Sequence, residues 1–123
     1  MKQHILIVDD EPPIRELLAE FFQKRGYQVT TAGSGEEATR LADETPPQLV
    51  ILDIALADAD GLELLRSLKH NHPALPIIML TGMGFDDELL QEALQNGAAG
   101  YVSKTLSLEQ LLMEVHRTLK FAK

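Results

Sequence analysis

Asp9, Asp10, Asp53, Thr81 and Lys104 are the residues of this sequence whose types and placement suit chemistry. Each closes a short apolar run. Ile5-Leu6-Ile7-Val8 leads into Asp9 and Asp10, Leu49-Val50-Ile51-Leu52 into Asp53, Ile77-Ile78-Met79-Leu80 into Thr81, and Tyr101-Val102 through Ser103 into Lys104. Short continuous apolar runs separated by helical patterns read as buried parallel strands. In a parallel sheet all the carboxyl ends share one edge, so these side chains converge there. Three carboxylates gathered within a few ångströms repel one another: at an effective dielectric near 20, one like-charged pair about 4 Å apart costs roughly 4 kcal/mol. A proton or a cation must relieve that cost. A hard divalent ion suits an all-oxygen site, and Mg²⁺ takes one or two carboxylates while keeping waters and room for a phosphate. On this reading Asp9 and Asp10 bind the metal, and Asp53, presented to solvent at a strand end, bridges metal and chemistry as a nucleophile. Phosphoryl transfer asks for positioning and for neutral charge around the equatorial oxygens. Mg²⁺, Lys104, and the Thr81 hydroxyl with N–H groups near Gly82 would supply it.

Taken singly, each residue has a plainer reading. The Asp9-Asp10-Glu11 run reads equally well as a solvated loop and Asp53 as a helix or turn cap, while Thr81 alone is more often a loop hydroxyl and Lys104 alone a surface lysine. Their joint arrival at one sheet edge is what argues for a site. Other candidates stay with the plain reading. His70 and His72 flank an asparagine in a polar connector and read as solvated; His4 and His116 have no partner at metal-ligand spacing. Gly82-Met83-Gly84 is too short for a dinucleotide or P-loop fingerprint, and Gly33-Ser34-Gly35 lacks the following lysine. Met83 and Phe85 are expected to pack over their loop.

The elements that must position the site follow from periodicity. After the first strand, His4 to Val8, Pro12 and Pro13 suit a helix start, and Ile14, Leu17, Leu18 and Phe21 form one face of a helix ending at Gly26. A second strand covers Tyr27 to Ala32. Ser34 with Glu37 matches a capping box for a helix reaching about Glu44. Leu49 to Leu52 is the third strand, and Ile54 to Asp60 a loop whose Asp60 caps a helix through Leu62, Leu65 and Leu68. His70 to Pro76 is a connector into the fourth strand. A helix over Asp86 to Asn96 stops at Gly97, Gly100 to Val102 is the fifth strand, and Ser107 with Gln110 opens a last helix through Leu108, Leu111, Leu112, Val115 and Leu119. Five strands alternating with five helices make a (βα)5 α/β unit, a parallel sheet with helices on both faces. The common strand order is 2-1-3-4-5, and ligands bind where that order reverses, outside strands one and three. Those are the strands that end in Asp9, Asp10 and Asp53.

A chain of 123 residues suits one domain, here 1–123, with a single core. Its 19 acidic and 11 basic residues, net charge −8, argue against direct nucleic-acid contact. No apolar run approaches the roughly 18 residues that span a bilayer. The absence of cysteine excludes disulfides and thiolate metal sites and fits a reducing, cytoplasmic setting.

With Gly26-Tyr27, Asp60-Gly61 and Gly97-Ala98 between them, Asp9-Asp10, Asp53, Thr81 and Lys104 resemble the receiver domain of bacterial two-component response regulators, across essentially the whole chain. The resemblance implies a flavodoxin-like fold. It also implies a phosphoryl group received on Asp53 from a sensor histidine kinase or histidine phosphotransfer protein, with Mg²⁺ required and the backbone carbonyl of Ala55 as a further metal ligand. It implies a switch: Thr81 turns toward the phosphoryl oxygen, Tyr101 rotates inward, and the surface formed by the helix from Asp86, the strand at Tyr101 and the last helix changes for an effector protein, an effector domain or a second copy. Two departures stand out. Thr105 follows Lys104 where the family usually has proline, often across a cis peptide, and Leu56-Ala57 stand where it usually has methionine-proline. The exposed side of the first helix, near Ile14 and Leu17, is expected to dock the phosphodonor.

Two other classes compete with a signalling switch that does not turn over substrate. Haloacid-dehalogenase-type phosphatases also combine aspartate, threonine, lysine and Mg²⁺, but carry Asp-x-Asp on the first strand, where this chain has adjacent aspartates. A binding module of the same fold is the other, either an FMN carrier or a receiver that is never phosphorylated. Asp-Asp-Glu-Pro-Pro would repel the FMN phosphate.

Overall fold

The computed structural model describes residues 2–56, 60–82, 87–104 and 107–121. Within them run β1 (His4–Val8), α1 (Pro12–Lys24), β2 (Gln28–Ala32), α2 (Gly35–Glu44), β3 (Leu49–Asp53), α3 (Gly61–Asn71), β4 (Ile77–Thr81), α4 (Asp87–Gln95), β5 (Gly100–Ser103) and α5 (Leu108–Phe121). The strands pair in parallel in the order β2-β1-β3-β4-β5, as the alternating pattern predicts. The start of the helix at Asp86 and the packing of Met83 and Phe85 lie outside the described residues, as do Ala57 and the Lys104–Thr105 peptide.

β1, β3 and β4 are buried along their whole length, because side chains that alternate across the sheet meet a helical layer on either side. Ile5, Ile7, Leu49, Ile51, Ile78 and Leu80 pack with Leu18, Phe21 and Phe22 of α1 and Leu111 and Val115 of α5. Leu6, Val8, Val50, Leu52, Ile77 and Met79 face the other way, against Ala38 and Ala42 of α2, Leu62, Leu65 and Leu68 of α3, and Ala93 of α4. Each fully buried aliphatic side chain contributes about 1.5–3 kcal/mol. The register sets Val8 beside Leu52 and Asp53 beside Leu80, so the strand ends finish level at one edge.

The caps follow the predicted pattern with one change. Asp60 Oδ1 accepts from the Leu62 N–H at 2.9 Å, and Ser107 and Gln110 form a reciprocal capping box. At α2 the Ser34 hydroxyl accepts from the Glu37 N–H at 3.1 Å, and the Glu37 carboxylate accepts from the N–H of Gly33, one residue before the cap. Gly26 follows α1 at φ 94°, a left-handed conformation natural to glycine.

Three details depart from the sequence reading. Leu17 is 54% exposed, while Leu18, Phe21 and Phe22 are buried. The apolar stripe of α1 centres on Leu18 and Phe21 to bring the large Phe22 ring against the sheet, and Leu17 falls at its rim. α3 continues through His70 to Asn71, so the connector to β4 is shorter than expected. His72 is not a solvated loop residue: its Nε2 lies 2.9 Å from Asp43 Oδ1, joining the ends of α2 and α3.

Candidate functional site

Asp9 follows β1 directly, and its backbone continues the ladder by donating to the Ala32 carbonyl at 3.1 Å. Asp53 closes β3, Thr81 closes β4, and Lys104 follows β5. The Lys104 N–H donates to the Thr81 carbonyl at 2.6 Å, so the ends of the two strands are tied at the main chain. The lysine stem then runs across Gly82, where a β-carbon would stand 3.4 Å from Lys104 Cδ. Its ammonium reaches the centre of the sheet edge, 3.0 Å from Asp53 Oδ2 and 3.1 Å from Asp9 Oδ2. It also lies 2.9 Å from Glu11 Oε1.

The remaining oxygens are held by main-chain donors. Asp9 Oδ1 accepts from the Glu11 N–H at 2.9 Å, and Asp53 Oδ1 from the Ala55 N–H at 3.2 Å. Ala55 is exposed at the start of the loop and forms an isolated antiparallel bridge with Asp60. Gly61 fastens this loop to α3, its N–H donating to the Ile54 carbonyl at 3.1 Å. Thr81 is buried, and Tyr101 is half-buried, packed against the apolar cluster on the α2, α3 and α4 side of the sheet, with its hydroxyl enclosed and without a hydrogen-bond partner among the described residues.

Burial pushes the Asp53 carboxyl above its ordinary value; hydrogen bonds from Lys104 and the Ala55 N–H oppose the rise and the charge of Asp9 adds to it. Burial alone would lower the Lys104 ammonium, but hydrogen bonds to Glu11, Asp53 and Asp9 outweigh it and hold the lysine firmly protonated. Against this single ammonium stand four carboxylates, those of Asp9, Asp10, Glu11 and Asp53.

The excess negative charge and the donor set fit a hard cation. Asp9, Asp10 and Asp53 each offer an oxygen within 4.8 Å of the others. Asp9 Oδ2 is buried and lies 3.1 Å from the Lys104 ammonium, which Asp53 and Glu11 share. One ammonium among these carboxylates leaves negative charge uncompensated, which a divalent ion with oxygen ligands neutralises.

The structure brings Asp9, Asp10, Asp53 and Lys104 together. Two further residues enter that the sequence reading left aside. Glu11 was legible only as the third acid of its run. Arg15 donates from Nη1 to the Asp9 carbonyl at 2.7 Å and lies over Gly33, where a β-carbon would come 2.8 Å from Nη1. Nothing in the sequence marks that contact, which depends on the turn of α1 over β2.

Fold and site define an open α/β protein with an acidic, cation-seeking edge at its topological switch point. The response regulator receiver domain profile matches residues 5–116, and the chain belongs to that family, a signalling family of two-component systems and not one of turnover enzymes. It is 37% identical over 118 residues to the phosphate regulon transcriptional regulatory protein PhoB of Pseudomonas aeruginosa, covering 94% of this chain and 51% of that protein. It is 33% identical over 116 residues to the probable transcriptional regulatory protein TcrX of Mycobacterium tuberculosis, covering 94% and 49%. The chain thus spans about half the length of these regulators. Among solved structures, a CheY-like receiver domain protein from Methanospirillum hungatei superposes with a TM-score of 0.93 at 28% identity, covering 99% of this chain and 97% of that one. The receiver domain of NtrX from Brucella abortus superposes at 0.89 with 35% identity, covering 95% and 98%. Among the described residues no helix is long and apolar enough to cross a membrane.

Proposed function

We propose that residues 1–123 act as a single receiver domain, a cytoplasmic switch that takes a phosphoryl group onto Asp53 from a sensor histidine kinase or histidine phosphotransfer protein. The observation that carries this reading is the ammonium of Lys104 set 3.0 Å from Asp53 and 3.1 Å from Asp9, reaching in from an edge strand. In the transfer an oxygen of Asp53 forms a P–O bond as the P–N bond of the phosphohistidine breaks, and the electron pair of that bond leaves on the imidazole nitrogen. Mg²⁺, when held by Asp9, Asp10, Asp53 and the Ala55 carbonyl, supplies neutralising charge for the phosphoryl oxygens. Lys104 neutralises a second oxygen, and Thr81 with N–H groups near Gly82 orients a third. α1 starts just after the acidic run, and its exposed rim at Leu17 suits docking of the donor.

Once Asp53 carries the phosphoryl group, Thr81 and Tyr101 bias a two-state surface made by α4, β5 and α5, which an effector protein, an effector domain or a second copy of the chain reads. The shift is limited to the difference in interaction between the two states. The test is incubation with Mg²⁺ and acetyl phosphate followed by mass spectrometry of the Asp53 peptide. An adduct in the wild type that is lost in Asp53→Asn is expected; equal labelling of the two proteins would refute the assignment.

A further inference from the structure

Glu11 sits just ahead of α1, where Pro12 and Pro13 take the first helical positions and its own side chain makes no capping hydrogen bond. Its backbone is held by Asp9 Oδ1. The carboxylate, free of the helix end, crosses to Lys104 Nζ at 2.9 Å. Its surroundings differ from those of the other two carboxylates on that ammonium. The Glu11 side chain is 58% exposed, whereas Asp9 and Asp53 are 1% and 4% exposed and Lys104 is 14% exposed. Glu11 therefore covers the ammonium from the solvent side.

An ammonium has three donors, and those of Lys104 face three carboxylates. A phosphoryl group on Asp53 brings oxygens that need the same ammonium, and Asp9 and Asp53 are buried where they stand. Glu11 alone can turn away into water, since exposed ion pairs are weak. We propose that Glu11 is an electrostatic gate on the Asp53 site. It occupies Lys104 until a phosphoryl group displaces it, and its charge slows anionic donors that bring no positive group to the mouth of the site. A protein donor with a basic side chain beside its phosphohistidine would draw Glu11 aside; a small anion such as acetyl phosphate must displace it unaided and so labels Asp53 more slowly. The gate rests on the phosphoacceptor reading of Asp53 given above.

Beryllofluoride, a phosphoryl mimic, tests it. Its affinity in the presence of Mg²⁺ is read by ¹⁹F NMR for the wild type, for Glu11→Gln, and for Glu92→Gln, which removes the same charge from the exposed face of α4. Glu11→Gln is expected to bind about three- to tenfold more tightly, the scale of one solvent-exposed charge removed within a few ångströms, and to label faster with acetyl phosphate. The gain should shrink at high salt, and Glu92→Gln should match the wild type. Equal affinities for Glu11→Gln and Glu92→Gln, with the wild type binding normally, would overturn the gate and leave the phosphoacceptor reading intact. Weaker binding of Mg²⁺ or beryllofluoride by Glu11→Gln would also overturn it, because Glu11 would then serve the metal. A wild type that binds no beryllofluoride removes both readings together.

Discussion

Gly61→Ala tests how tightly the loop carrying the candidate phosphoacceptor is fastened to the scaffold. A β-carbon at position 61 would stand 2.5 Å from the Ile54 carbonyl oxygen, 2.6 Å from its Cα and 2.7 Å from its carbonyl carbon. Comfortable separations for such atoms are about 3.5–4.0 Å, so α3 and the segment after Asp53 must part by roughly 1 Å. All three obstructing atoms are main chain, and no rotamer change relieves them. Overpacking of this kind costs about 1–3 kcal/mol, and the upper end applies because the Gly61 N–H to Ile54 carbonyl bond stretches as well. Alanine returns at most about 1 kcal/mol through helix propensity. The net loss of about 2 kcal/mol should lower Tm by roughly 6–10 °C in a domain of this size. The same displacement moves the Ala55 N–H that holds Asp53 Oδ1, so beryllofluoride affinity should fall with stability. Gly82→Ala is the control, since among the described residues its β-carbon meets only the flexible stem of Lys104 at 3.4 Å; it should cost under about 1 kcal/mol. Differential scanning calorimetry of both variants decides the matter. A Gly61→Ala protein with unchanged or raised Tm and unchanged ligand affinity would refute the reasoning.

Phe22→Ala removes a fully buried ring in edge contact with Phe21 and Tyr27 and should cost about 3–5 kcal/mol in urea unfolding. His4 is buried against the Thr30 hydroxyl at 2.7 Å, and burial lowers its pKa below 6.5. The unfolded chain then binds the extra proton first, so this contribution to stability is complete above pH 6.5 and is lost as pH falls from there toward the folded-state value. Urea midpoints measured across that window should drop on the acid side, and less so in His4→Gln. Mg²⁺ at about a hundred times its Kd should stabilise the wild type by roughly 2.7 kcal/mol, with a smaller gain in Asp53→Asn. A thermal shift equal in the two proteins would count against Asp53 as a ligand.

Much of this architecture was legible in the sequence because parallel strands leave a plain record. Runs such as Leu49 to Leu52, buried on both faces, lack polar alternation, and whatever follows them must arrive at the same edge. The order of residues therefore puts Asp9, Asp53, Thr81 and Lys104 at that edge. What it lacks is reach. Nothing in the order of residues tells that Glu11 spans to Lys104, that Arg15 lies over Gly33, or that Glu37 bonds the N–H of Gly33. Those contacts depend on rotamers and on how α1 and α2 sit over the strand ends. Helix periodicity likewise gives a stripe but not its centre, so Leu17, a member of the stripe, lies at its exposed rim. His72 reads as a solvated connector residue because its partner, Asp43, belongs to a different helix.

Lys104 belongs to the edge of the sheet by its main chain and to the centre by its charge. Its N–H is fastened to the end of β4 and its ammonium to carboxylates on β1 and β3, so it works as a strut across the sheet. A redistribution of charge at those carboxylates would therefore pull on β5, a strand of four residues with a neighbouring strand on one side only. β1, β3 and β4 are buried at every residue between two apolar layers. Such a pull would meet the least packing at β5, so the strut would turn a change of charge into a displacement of the edge of the sheet.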